Sequence, residues 1–133
     1  MNVQNLAIQA ATMKGWPAQH EHTGEVRIEV TTTGHRTQLV TVTNATDADG
    51  DLAAFIWSKA ADSHAVNDPW RLLTLNAQLT YGRVALRGQE VLVLHSLLDQ
   101  TADLAEVGKA VFFVAKAADD IEQQTYGHYT DQL

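Results

Sequence analysis

Leu104, Val107, Val111, Val114, Ala118 and Ile121 step by three and four residues, so they lie on one stripe of a helix about five turns long. Thr101 or Asp103 is placed to cap it. A stripe of that length has to be buried against another layer, and the rest of the chain supplies strands for it. Glu25 to Val30 alternates charged with branched apolar residues, as a strand half-buried in an antiparallel sheet does. Gly34 and His35 give a turn, and Thr37 to Thr43 returns with Val40 and Val42 at period two. The turn cluster Asp47 to Gly50 leads to a third strand, Leu52 to Ser58, with Phe55 and Trp57 on one face and Ala54 and Ile56 on the other.

Two further helices complete the pattern. Asn2 is the expected cap of the first, whose apolar positions are Val3, Leu6, Ala7, Ala10 and Met13, with Gly15, Trp16 and Pro17 ending it. His20 and His22 fall in the polar loop that follows. Asn67 or Asp68 caps the middle helix, Pro69 takes its first position, and Trp70 to Leu79 continues it to the break at Gly82. Arg83 to Arg87 and Val91 to Leu97 then form a hairpin about Gly88-Gln89. The expected fold is α+β, an antiparallel sheet in the order α-β-β-β-α-β-β-α, and no repeat or linker divides residues 1–133 into more than one domain.

Composition removes several chemistries. The absence of cysteine rules out disulfides, thiolate metal sites and a catalytic thiol. The first residues lack a basic start and continuous apolar run, and no stretch approaches the ~20 apolar residues of a membrane span, so a soluble cytoplasmic protein is expected. The net charge of -7 opposes phosphate attraction. Arg27, Arg36, Arg71, Arg83 and Arg87 surround Tyr81, but Glu25, Glu29 and Glu90 are interleaved with them, which argues against direct nucleic-acid binding. Asp99, Asp103, Glu106, Asp119, Asp120, Glu122 and Asp131 concentrate negative charge towards the C-terminus, as a solvated helix face or as a surface for a basic partner.

The segment WRLLTLNAQLTYGRVALRGQEVLVLHSLL, from Trp70 to Leu98, resembles the core of the YbjN family, which shares the fold of type III secretion chaperones. Leu72, Leu75, Asn76, Tyr81, Gly82, Val84, Leu86, Val91, Val93 and Leu94 carry the resemblance, and Thr37 to Val40 is similar to an earlier strand of the family. The resemblance implies a homodimer without a catalytic centre that uses exposed apolar surface to hold other proteins, in a chaperone or adaptor role. It implies a dimer contact near Leu72, Leu75, Val84 and Leu86, and no cofactor. Fold similarity does not carry a secretion role with it.

Chemical motifs are weak by comparison. His20 and His22 are two residues apart and could face one side of an extended segment, with Glu21 or Glu25 as an oxygen ligand, but two ligands do not make a metal site. Asp47, Asp49 and Asp51 resemble a calcium loop, yet Leu52 and Ser58 stand where its glycine and glutamate belong, so turn chemistry explains them. Ser63-His64 and His95-Ser96 are adjacent pairs outside any nucleophile elbow. Tyr81-Gly82-Arg83 has too few glycines to cradle phosphate. The alternative to a protein-binding module is a regulatory small-ligand or metal-binding domain built on His20, His22 and the aromatic surface.

Trp16, Phe55, Trp57, Trp70, Phe112 and Phe113 are expected mostly in the core, although adjacent Phe112 and Phe113 point about 100° apart on a helix. A small sheet that is apolar on both faces needs two covers, and three helices do not obviously supply both. Dimerisation or partner binding would supply the second, with Phe55 and Trp57 as the partner-binding candidates.

Overall fold

The alternating segments pair into one six-stranded antiparallel sheet of order β1-β2-β3-β4-β6-β5. The computed structural model describes residues 2–130. Along the chain the elements are α1 (Asn2–Lys14), β1 (Ala18–His20), β2 (Val26–Thr31), β3 (Thr37–Thr46), β4 (Leu52–Asp62), a 3-10 turn (Ser63–Ala65), α2 (Pro69–Asn76), β5 (Arg83–Arg87), β6 (Glu90–Leu98) and α3 (Leu104–Thr130). The expected order is present, with one addition: the loop holding His20 begins as an edge strand, pairing Ala18 with Ile28 and His20 with Val26. Three residues without apolar alternation carry no strand signal of their own, and the backbone of β2 recruits them.

The core lies between α1, α3 and one face of the sheet. Val26, Ile28 and Val30 alternate with exposed residues along β2, and Val40, Val42, Ala54, Ile56, Val91 and Val93 continue the buried face. Val107, Val111, Val114, Ala118 and Ile121 of α3 close over it. All the largest fully buried side chains are isoleucine or valine. None of the six aromatic residues expected in the core is fully buried, and Trp70 and Phe113 are exposed. A valine and alanine core lets the helices approach the sheet closely and leaves the bulky rings at its margins.

Polar groups from distant parts of the chain lock these layers together. Asn2 does not cap α1: Asp99, in the loop after β6, accepts from Asn2 N at 3.2 Å and Val3 N at 2.9 Å. The carboxylate satisfies the free N–H groups of the first turn and meets the positive end of the helix. Asn2 instead donates its side-chain amide to Asp99 O at 2.8 Å. The stripe of α1 is rotated accordingly. Gln4 is buried and donates to Gly24 O at 2.6 Å and Val42 O at 3.1 Å, whereas Met13 is exposed. Asp68 caps α2 through Trp70 N, with Pro69 following it, and the helix stops at Asn76. Asp103 caps α3 through Glu106 N at 2.8 Å.

The acidic C-terminal face is therefore smaller than its composition suggests. Asp99 and Asp119 are buried, Asp103 is a cap, Asp120 holds Lys116 at 2.6 Å, and Asp131 lies outside the described residues.

Candidate functional site

The face of the sheet away from α1 and α3 has no helix over it among the described residues. Its centre is set by strand register. Trp57 on β4 sits between Thr41 of β3 and Leu94 of β6, and Phe55 sits between Thr43 and Ser96. Leu39 and Leu98 extend the apolar surface and are 50 % and 46 % exposed. The Arg87 guanidinium lies 4.2 Å from the centroid of the Trp57 ring and reaches Glu90 at 3.4 Å. Stacking of this kind covers part of the ring with a cation and leaves Trp57 partly buried. Phe55 and Trp57 thus share one face of the sheet, as their alternation predicts.

The residues proposed for a dimer contact are distributed differently. Leu72, Leu75 and Val84 are half-buried against the chain's own core, while Leu86 is 65 % exposed. Trp70 and Leu73 of α2, at 75 % and 57 %, are more open than Leu72 or Leu75. Asn76 occupies the edge of β5: its Oδ1 accepts from Val84 N at 2.6 Å and its amide donates to Val84 O at 3.4 Å. One side chain thereby satisfies backbone groups that another strand would otherwise use.

Phe112 and Phe113 resolve their opposed directions by joining a ladder of rings. Trp16 stacks on Phe112 with centroids 6.3 Å apart, Phe112 meets Phe113 edge-on at 5.3 Å, and Phe113 stacks on Tyr81 at 5.5 Å. Tyr81 then meets His95 at 5.6 Å. Gly82 N donates to His95 Nδ1 at 2.9 Å, so the neutral ring carries its proton on Nε2. Burial pushes this imidazole below its ordinary value; Glu106 opposes the shift and Arg83 adds to it.

The remaining chemical motifs do not assemble. His20 and His22 are exposed and gather no third ligand among the described residues. Asp47, Asp49 and Asp51 bring carboxylate oxygens within 4.8 Å, but Asp47 Oδ1 accepts from the backbone N–H of Asp49 and Asp51, each at 2.9 Å, as turn chemistry requires. Ser96 accepts from Arg83 at 3.1 Å on the open face, whereas His95 points towards the helices. The arginines are dispersed among carboxylates, with Arg27 on Glu25, Arg36 on Asp119 and Arg87 on Glu90.

No family model matches the sequence, and no curated protein does either. Two solved structures resemble the fold over most of its length. ExsC, in the crystal structure of the ExsC–ExsE complex, aligns with a TM-score of 0.60 and 12 % identity, covering 92 % of each chain. The Yersinia pestis type III secretion chaperone SycH, solved with a stable fragment of YscM2, aligns with a TM-score of 0.53 and 15 % identity, covering 90 % of this chain and 98 % of the other. At these identities the likeness is one of fold. The chain has a type III secretion chaperone-like fold.

Proposed function

We propose that the protein is a non-enzymatic, YbjN-like protein-binding module with a chaperone or adaptor role, acting in the cytoplasm as a homodimer. The uncovered sheet face centred on Phe55 and Trp57 carries this reading. Large apolar rings carried on a strand, with Trp57 packed under the Arg87 guanidinium, bury area at little entropic cost when a partner docks. The structures sharing the fold were solved as a complex of two proteins and as a chaperone with a fragment of another. No helix among the described residues is long and apolar enough to cross a membrane.

Trp57→Ser is expected to weaken partner recovery in affinity capture by about 30-fold, the loss typical of a central aromatic anchor. Undiminished recovery by the folded variant would move the docking surface elsewhere.

The dimer contact is proposed to run over α2 and β5, through Leu72, Leu75, Val84 and Leu86. Leu86→Asp tests it without cutting into the core, because that side chain is largely exposed in the single chain. The light-scattering mass at micromolar concentration is expected to fall from two chains to one. A parent protein that already weighs one chain refutes the homodimer.

A further inference from the structure

A second apolar surface, separate from the sheet, runs along α3. A groove of about 610 Å³ lies between the end of α1 and the start of α3, with Met13, Trp16, Leu104 and Phe112 in its walls. Another, of about 680 Å³, lies between α3 and the segment after α2, against Leu75, Leu79 and Tyr81. Lys109 and Phe113 line both, so the two adjoin along α3, and the ring ladder runs from Trp16 and Phe112 in the first to Tyr81 in the second. From Leu104 to Gln124 the helix covers about 30 Å, the length of a polypeptide segment.

The charge of this groove opposes that of the whole chain. The protein has a net charge of -7 and four lysines, of which Lys14, Lys109 and Lys116 line the groove. Lys116 is held by Asp120 at 2.6 Å, but no carboxylate among the described residues lies within 4.0 Å of Lys14 or Lys109. Two unpaired ammonium groups beside a wall of rings complement apolar side chains flanked by carboxylates. A second copy of this chain is a poorer fit, since its exposed helical residues Trp70 and Leu73 flank Arg71, which would repel the lysines.

We propose that this groove receives an acidic amphipathic helix of a partner protein, with the apolar side on the ring ladder and carboxylates on Lys14 and Lys109. The proposal rests on the protein-binding reading above and adds the chemistry of the partner segment.

Two labelled peptides of about twenty residues test it, both with leucine at helical spacing, one with glutamate and the other with lysine at the remaining positions. Fluorescence anisotropy is expected to show binding of the glutamate peptide only, weakening as salt is raised. In Lys14→Glu/Lys109→Glu its affinity should drop about tenfold or more, and the lysine peptide should gain. Equal binding of both peptides, binding of neither, or indifference to the double variant overturns the proposal. So does a Phe113→Ser variant that converts a dimer to single chains, because the groove then belongs to a second copy. If these peptide results are negative while partner capture still depends on Trp57, the sheet-face reading stands and only the groove assignment falls.

Discussion

Gly82→Ala is expected to destabilise the fold by about 3 kcal/mol, read as a lower urea midpoint at unchanged m. Gly82 has φ of 91°, and a Cβ built there would lie 3.0 Å from Val93 Cγ1 and 3.5 Å from Val114 Cγ2. Both valines are fully buried, so neither can swing away into solvent. The same turn directs Gly82 N to His95 and sets Tyr81 against Phe113. Gly50→Ala provides the control, because φ there is 84° but nothing lies within 4 Å of the added carbon. It should cost about 1 kcal/mol, the backbone contribution alone. Equal losses at the two positions would show that packing against Val93 contributes nothing.

Local pattern made the layers of this protein legible. The stripe from Val107 to Ile121, the alternation of β2 and the Pro69 start of α2 each act within a few residues, and each recurs in the structure. That Phe55 and Trp57 share one face is legible for the same reason, since alternation along a strand decides its two sides, but that this face has no helix over it is not. Contacts between distant segments were not legible. Nothing near Asn2 indicates that a carboxylate 97 residues away caps α1, or that Gln4 is buried to reach the backbone of Val42. The adjacent rings Phe112 and Phe113 signalled that both could not face one narrow core, but not which neighbours receive them, because Trp16 and Tyr81 come from distant parts of the chain. Charge counting misled most. It treated Asp99 and Asp119 as surface acids when both are buried and bonded.

Asp119→Ala is expected to cost about 3 kcal/mol near neutral pH, although the residue stands in what composition presents as a solvated helix face. Its carboxylate is fully buried and accepts from Arg36 Nη2 at 2.8 Å, Arg36 Nε at 3.0 Å and Thr32 Oγ1 at 2.8 Å, pinning the β2–β3 turn to α3. Truncation removes the acceptor that these three bonds share. Arg36 is partly exposed and can regain water, which keeps the loss at the lower end for a broken buried pair. Asp119→Asn retains an acceptor and should cost less. Burial pushes this carboxyl up, but the hydrogen bonds from Arg36 and Thr32 and the Arg36 charge outweigh it and hold the group below the ordinary carboxylate range. As pH falls, the unfolded chain therefore takes up the proton before the folded one does. The stabilisation is complete above the unfolded value of about 4 and is lost as pH falls towards the lower folded value. Urea titrations at about pH 7 and about pH 3 should show the gap between parent and Asp119→Ala narrowing at the acid end. A constant gap would mean that packing of the side chain, and not its charge, fastens the turn to the helix.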